Sequence, residues 1–306
     1  MGKKSWKEYL LSSGVPLEHS VIKILKSYGF DDLSEFKYIR GNEQGIETLF
    51  SVDIKAKKYS GKSLANLSLL LECKYRHDQA KWIFVPSEYE CFGIEFRDLF
   101  ISTSELSESV SINSTYLNKF ADRYALCGKG VEILDNSFNP KAIEQAISQV
   151  SYALPNLFVK ELNSQALGPP TIKDKVRIII PFIVTTAQLW RLNEETTIEN
   201  IRHADNLDEV AKEYDLLLIR REPDNFLATY TLEILQKNLG QYTMDILNRN
   251  EAIDSNGFIS RFARQQPSVF VVIHYSRVEQ MLQNLIPFIE SDNLLKPKKY
   301  LASDKF

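Results

Sequence analysis

Two short stretches decide the fold, LFSVDIKA at residues 49–56 and LLLECKY at residues 69–75. Both are short, rich in aliphatic residues and typical of β-strands. The second is apolar on both faces, as expected of a strand at the centre of a sheet. Besides Lys55, three charged residues, Asp53, Glu72 and Lys74, interrupt these strands. Burying a charge is costly unless it is paired or binds a metal, so these residues are the first candidates for a functional site.

The alternation of side chains along a strand predicts where the three charges point. Asp53 is expected on the face opposite Val52 and Ile54. Glu72 and Lys74 are two residues apart, so they share one face of the second strand. If the two strands pair as a hairpin, Asp53 lies beside Glu72 and Lys74.

Such a cluster has a specific chemistry. Converging carboxylates provide the oxygen ligands that Mg²⁺, or Mn²⁺ in its place, prefers. A bound metal polarises a phosphoryl oxygen and helps to generate hydroxide. A neighbouring lysine can orient the attacking water and offset the developing negative charge. The three residue types together favour phosphodiester hydrolysis.

The pattern of Asp53 followed by Glu72-Cys73-Lys74 resembles the PD-(D/E)xK motif of restriction-endonuclease-like nucleases. The order of elements is also similar, since a helix predicted over 16–28 and ending at Gly29 precedes the strands. In many members of this superfamily the first helix supplies a glutamate to the metal site, and Glu18 occupies that place. The chain departs from the motif in having Val52 where the name of the motif has proline.

The resemblance implies an α/β fold, a restriction-endonuclease-like mixed sheet flanked by helices, with an insertion and a C-terminal elaboration. Residues 1–190 would form the nuclease-like core, interrupted by an insertion at about 77–137. Residues 191–306 would form the elaboration, packed on the core or part of the same domain. The implied function is Mg²⁺-dependent cleavage of DNA, in a setting such as restriction or phage defence. A homodimer is a hypothesis that follows from cutting two strands.

The resemblance also implies the role of each site residue. Asp53 and Glu72 would bind the metal with assistance from Glu18, and Lys74 would position the nucleophilic water. The alternative for the motif is a structural ion pair of Lys74 with Asp53 or Glu72 at a sheet edge. The alternatives for the function are an inactive nuclease-fold module for nucleic-acid binding or assembly, and a nuclease directed at RNA.

Composition sets the outer bounds. A hydrophobic fraction of 44% and a charged fraction of 25% are those of an ordinary globular protein. No apolar run approaches the ~20 residues that span a bilayer, and the first residues do not resemble a signal peptide. The cysteines, Cys73, Cys91 and Cys127, show no paired spacing, which argues against disulfides and a cysteine zinc site. We therefore expect a cytoplasmic protein without a membrane partner.

The charge distribution bears on nucleic-acid binding. The net charge is -3, but the first 76 residues carry a surplus of Lys and Arg. Phosphate contacts need a local basic surface rather than a basic protein. Lys55, Lys57, Lys58 and Lys62 could form such a surface, and a solvated strand end is an equal alternative.

The remaining chain predicts further elements of an α/β fold. A helix is expected over 139–150, with Asn139 as its N-cap, and it carries Gln145 and Gln149. The superfamily places a glutamine there near the active site in some members, although exposed amides are the simpler explanation. The predicted strands and C-terminal helix are 81–86, 176–186 (parallel to the second strand), 216–220, 226–231, 268–274 and the helix 278–288, followed by a polar tail from 291.

Overall fold

The computed structural model describes residues 5–41, 46–61, 63–87, 99–134, 137–169, 175–249, 254–266 and 268–298. Within these ranges the helices are α1 (Trp6–Ser12), α2 (Val15–Ser27), α3 (Ser114–Ala121), α4 (Ala142–Ala166), α5 (Ile198–His203), α6 (Asn225–Asn238), α7 (Gln241–Arg249), α8 (Ser255–Gln265) and α9 (Val278–Ile289). The strands are β1 (Asp31–Gly41), β2 (Glu47–Lys58), β3 (Ala65–Lys74), β4 (Lys81–Pro86), β5 (Ile101–Ser102), β6 (Val110–Ile112), β7 (Leu126–Leu134), β8 (Ser137–Asn139), β9 (Val176–Thr185), β10 (Gln188–Leu192), β11 (Ala211–Tyr214), β12 (Leu216–Arg220), β13 (Val269–His274) and β14 (Leu295–Pro297).

One large mixed sheet organises the chain. Its strand order is β1-β2-β3-β9-β13-β12-β7-β4-β10-β11, with β5 beside β9 and β8 beside β7. The first three strands are antiparallel neighbours, whereas β9 is parallel to both β3 and β13. The protein is therefore a mixed α/β protein, and the strands β12 and β13 from the C-terminal part lie inside the same sheet as the first three.

Helices cover both faces of this sheet. One hydrophobic cluster includes side chains of α2, α3 and α9, and the other includes side chains of α4, α6, α7 and α8. All ten residues of β9 are buried, as are all of β3 except Lys74. The prediction that the LLLECKY strand is central is confirmed. Among the described residues, no helix has both the length and the apolarity to cross a bilayer.

A buried ionic network crosses the face that α4 covers. Glu161 of α4, with a side chain only 1% exposed, pairs with Arg177 of β9 at 2.5 Å and with Lys57 of β2 at 2.6 Å. Lys55 of β2 lies 2.7 Å from Asp32. The ion pairs of Glu161 connect α4 to β2 and β9. Lys55 and Lys57, which the sequence offered as part of a basic surface, are thus engaged in ion pairs within the protein. Lys58 donates to the Tyr28 carbonyl, and Lys62 lies outside the described residues.

Most of the predicted elements are confirmed. The strand at 176–186 corresponds to β9 and is parallel to β3 over its whole length. The predicted strands 81–86, 216–220 and 268–274 correspond to β4, β12 and β13, and the predicted C-terminal helix to α9.

Three local predictions are wrong. Residues 226–231 lie in α6, because the Asp224 carboxylate accepts the Leu227 N–H and caps a helix there. The helix predicted from 139 begins at Ala142, since Asn139 pairs with β7 as the end of β8. It then continues to Ala166, well past the predicted end at 150. Within the predicted polar tail, β14 pairs with β6.

Candidate active site

A bulge in β2 sets the direction of the Asp53 side chain. Ser34 pairs with Lys55 and Phe36 pairs with Val52, so β2 has one residue more than β1 between these pairs. A bulge of this kind bends the strand and redirects side chains. Val52 and Ile54 consequently pack in different hydrophobic clusters. The expectation that they share one face is wrong, because simple alternation fails at a bulge.

Asp53 lies at the point where β2 and β3 stop pairing. The last paired residues of that hairpin are Ile54 and Leu71, which makes Asp53 and Glu72 the next pair along the two strands. One Asp53 carboxylate oxygen accepts the backbone N–H of Cys73 at 2.7 Å. The predicted hairpin is present, and it brings Asp53 to the strand that carries Glu72 and Lys74.

The Lys74 ammonium group joins β3 to helix α4. Its Nζ lies 2.5 Å from Glu72 Oε1 and 2.8 Å from Gln149 Oε1. The Gln149 carbonyl in turn accepts the Tyr38 hydroxyl of β1 at 3.1 Å. The Lys74 side chain is 20% exposed, whereas that of Glu72 is 1% exposed. Lys74 thus sits at the boundary between the protein interior and the solvent.

The end of β9 fixes the backbone beneath Lys74. The Thr185 hydroxyl donates to the Lys74 carbonyl at 3.0 Å. The Thr186 hydroxyl lies 2.7 Å from both the Arg76 carbonyl and the Arg76 N–H. The backbone around Lys74 is therefore held by two threonine hydroxyls at the end of β9, which limits the positions that the Lys74 ammonium group can reach.

The electrostatics of the site follow from burial and from repulsion between carboxylates. Burial and the neighbouring Asp53 carboxylate raise the pKa of Glu72 to about 7, and Lys74 acts in the opposite direction. Burial also raises the pKa of Asp53, against the Cys73 N–H and Lys74. The second Glu72 oxygen, Oε2, is buried and accepts no well-formed hydrogen bond from the described residues, although the Asp53 backbone N–H lies near enough to the Glu72 carboxylate to lower its pKa. A buried oxygen of this kind is costly, and a cation would satisfy it.

Glu18 is half-buried on α2 and belongs to the same electrostatic environment. Burial raises its pKa, followed by the Asp53 and Glu35 carboxylates, while Lys74 lowers it. No hydrogen bond to the Glu18 carboxylate is found among the described residues. The sequence singled out Glu18 by its position on the first helix, and the fold places it near Asp53 and Lys74.

The residues fit a hydrated divalent cation better than a closed metal cage. Within the described ranges, no group of three or more His, Cys, Asp or Glu side chains is arranged to hold a metal ion. Magnesium does not require such a group, since it usually keeps several waters and uses one or two carboxylates plus substrate phosphates. Asp53 and Glu72 are such a pair of carboxylates, and Oε2 of Glu72 would be the oxygen available to the ion.

Two residues that influence the site were missed or undecided in the sequence. Glu35 of β1 raises the pKa of Asp53 and Glu18, and its place became visible only from the pairing of β1 with β2. Gln149 contacts Lys74, whereas Gln145, one turn earlier on α4, is exposed. Gln145 and Gln149 are four residues apart and share one face of α4, so the sequence carried no signal that separates the two amides.

Other neighbours are already occupied. Arg76 forms an ion pair with Glu132, which also accepts the Trp82 indole N–H at 2.7 Å. His77 is exposed beyond the end of β3. Cys73 and Cys127 are buried and form no disulfide within the described residues, and Cys91 lies outside them.

Comparison of the chain with protein families, with curated proteins and with solved structures finds no significant match. No family is assigned on similarity.

Proposed function

We propose that the protein is a divalent-metal-dependent nuclease that hydrolyses phosphodiester bonds of DNA, with a restriction-endonuclease-like core. The observation that carries this proposal is the Lys74 ammonium group held between Glu72 and Gln149, beside Asp53, at the end of the central strand β3. Mg²⁺, or Mn²⁺, would be held by Asp53 and Glu72 with help from Glu18. When bound, the metal would supply Lewis-acid activation of the phosphate and of a water.

Lys74 has the hydrogen-bonding capacity for the reaction. An ammonium group has three N–H donors, and two are used by Glu72 and Gln149. The third is available to a water or a phosphate oxygen on the exposed side. From there Lys74 would orient the attacking water and balance the negative charge that develops on the phosphate.

A purely structural ion pair explains these observations less well. Lys74 and Glu72 do form an ion pair, but β3 is a central strand rather than a sheet edge. A structural pair is stabilising only when the remaining lone pairs are also satisfied. Here the second Glu72 oxygen is buried and accepts no well-formed hydrogen bond from the described residues, and the carboxylates of Asp53 and Glu18 lie near enough to raise pKa values.

The test is cleavage of supercoiled plasmid with Mg²⁺, compared with the same reaction in EDTA. We expect the wild-type protein to cut only with the metal, and Asp53→Ala and Lys74→Ala to lose cutting by at least about 100-fold. Lys212→Ala, at an exposed lysine of β11, is the matched control and should cut like the wild type. Circular dichroism confirms that each variant is folded.

The other functions give different results in the same assay. Binding of DNA without cleavage by the folded wild type would replace the nuclease proposal with a binding or assembly module. Cleavage of an RNA substrate in preference to DNA would redirect the activity to RNA. Cutting both strands of a duplex needs two active sites, which a homodimer would supply. Restriction or phage defence is the setting that such an activity fits.

A further inference from the structure

A cluster of one arginine and two aromatic rings lies next to the candidate active site. The Arg40 guanidinium carbon of β1 is 4.6 Å from the centre of the Phe50 ring and 4.2 Å from the centre of the Tyr152 ring. Arg40 and Phe50 belong to the β1–β2 ribbon, and Tyr152 belongs to α4. All three residues are half-buried. Contacts of this kind hold a cation through the ring faces.

The contacts leave the hydrogen-bonding edge of Arg40 uncommitted. A guanidinium group has five N–H donors in its plane, while ring contacts engage its faces. Among the described residues, no carboxylate lies within ion-pairing distance of Arg40 and none of its N–H groups has a recorded acceptor. An arginine held by its faces with a free edge has the geometry that binds phosphate oxygens in a bidentate manner.

The rings themselves are already used within the protein. Phe50 stacks on Tyr38 with 5.8 Å between ring centres, and Tyr152 makes an edge contact with Tyr230 at 5.1 Å. The Tyr230 hydroxyl is fixed by Asn156 at 2.8 Å. These contacts position Arg40 and leave little ring surface for stacking on bases. The cluster is therefore suited to a backbone phosphate rather than to a base.

The cluster is connected to the catalytic groups through two elements. Tyr152 follows Gln149 by three residues on α4, and the two side chains are neighbours on one helix face. Phe50 precedes Asp53 by three residues on β2, a separation of about 10 Å along a strand. The Tyr38 hydroxyl of β1 donates to the Gln149 backbone carbonyl of α4, and the Tyr38 ring stacks on Phe50 of β2. Through Phe50 and Tyr152, Arg40 thus contacts the two elements that carry Asp53 and Gln149.

We propose that Arg40, held by Phe50 and Tyr152, binds a backbone phosphate of the DNA strand that is cut, on one side of the scissile bond. This rests on the proposed nuclease function. The contact is independent of base sequence, because it is made to the phosphodiester backbone. It gives the site a defined direction along the strand, from Arg40 towards Lys74.

The test is binding of a fluorescent DNA duplex in EDTA, where no cutting occurs, measured over a series of salt concentrations. Neutralising one phosphate contact changes the slope of log affinity against log salt by about 0.9. We expect Arg40→Gln to weaken binding about tenfold and to reduce that slope by about one. Arg40→Lys keeps the charge without the planar stack and should give an intermediate loss. The losses should be equal for duplexes of different base composition.

Arg202→Gln is the matched control, because Arg202 is an exposed arginine on α5 paired with Glu199. It should bind with wild-type affinity and slope. Wild-type affinity and slope in folded Arg40→Gln would overturn the inference, even if the protein cuts plasmid. Conversely, DNA binding that depends on Arg40 in a protein that does not cut would keep the inference and end the nuclease proposal. A protein that neither binds nor cuts DNA overturns both.

Discussion

The Lys74 ammonium group is positioned by an amide from another element, the Gln149 side chain of α4. Glu72 alone cannot fix it, because both residues are on the same strand and both side chains have rotatable bonds. The side-chain Oε1 of Gln149 provides the second contact, at 2.8 Å. The backbone carbonyl of the same residue accepts the Tyr38 hydroxyl, which fixes this part of α4 against β1. We regard Gln149 as a positioning residue rather than one that contacts the substrate.

This role predicts a selective loss of rate. Gln149→Ala frees the Lys74 side chain to adopt other rotamers, so we expect kcat for DNA cleavage to fall about tenfold or more, equivalent to about 1.4 kcal/mol. KM should change little, since no substrate contact is removed. Steady-state kinetics on a labelled duplex measure both constants.

Gln145→Ala is the control for that measurement, because the amide of Gln145 is exposed on the same helix. It should retain wild-type kcat. Gln149→Glu is not an equivalent replacement, because its carboxylate adds a negative charge and lacks the N–H donors of the amide. A Gln149→Ala variant with wild-type kcat would show that Glu72 suffices to place Lys74.

At the scale of residues, the sequence was informative wherever a charge stands on an apolar strand. Asp53, Glu72 and Lys74 were identified in that way, because apolar surroundings make each charge conspicuous. Glu35 is surrounded by other polar residues on an exposed stretch of β1, so nothing in the sequence distinguished it. The choice between Gln145 and Gln149 depended on the position of α4 relative to the sheet, which tertiary packing decides.

At the scale of elements, the contact between α4 and the sheet is both apolar and ionic. The helix covers β2, β3 and β9, and Glu161 is buried against Arg177 and Lys57 near its C-terminal end. Gln149 lies more than three helical turns earlier, at the candidate active site. The two ends of α4 are thus fixed by polar contacts across the same sheet face.

Removing the ion pair between Arg177 and Glu161 of α4 should strongly destabilise the fold. Arg177→Met leaves the Glu161 carboxylate buried with one cationic partner fewer, and we expect the free energy of unfolding to fall by about 3–5 kcal/mol. Urea denaturation followed by circular dichroism measures it. The triple variant Arg177→Met with Glu161→Met and Lys57→Met should recover most of the loss, because it removes all three charges that meet at Glu161. A single variant as stable as the wild type would mean that the pair contributes nothing.

Several elements could be predicted because burial dominates their sequences. β3, β9 and β13 each contain a continuous apolar run, and such runs are typical of strands that are buried on both faces of a sheet. The failures have local causes. The residues of α6 contain β-formers such as Phe226 and Tyr230, but Asp224 caps a helix and buried Leu227, Thr231 and Leu235 recur at four-residue spacing. The bulge at Asp53 arises from pairing with β1, which no pattern within β2 reveals.

At the scale of the whole molecule, the site should couple metal binding to stability. Asp53, Glu72 and Glu18 all have raised pKa values, with burial as the first cause and neighbouring carboxylates adding to it for each of them. A cation bound only by the folded protein relieves this cost and stabilises the fold by mass action, about 2.7 kcal/mol at a concentration 100 times the Kd.

We therefore expect Mg²⁺ to raise the Tm by several degrees relative to EDTA, and removal of the metal to reverse the change. Differential scanning fluorimetry measures the shift without any substrate. Asp53→Asn should lose it, whereas Asp205→Asn, at an exposed aspartate beyond α5, should keep it. An identical Tm with and without the metal would contradict binding by these carboxylates.

The order of the strands was the part of the architecture that the sequence revealed least. The predicted parallel neighbour of β3 is present, but β13 and β12 lie between β9 and β7. Residues 191–306 were expected as an elaboration packed on the core or as part of the same domain, without a prediction of where their strands join the sheet. Their strands β12 and β13 lie in the middle of the sheet, a placement determined by long-range pairing that local patterns do not encode.

Because strands from distant parts of the chain are neighbours in the sheet, the candidate active site can assemble only late in synthesis. Cys73 of β3 pairs with Val184 of β9, and β9 is completed on its other side by β13, whose last residue is His274. The ribosome therefore releases every acidic group of the centre long before the sheet can close, by roughly ten seconds or more at ordinary elongation rates. A nascent chain carries the residues of the candidate site but lacks the scaffold that aligns them, so these residues come together only after β13 has been synthesised.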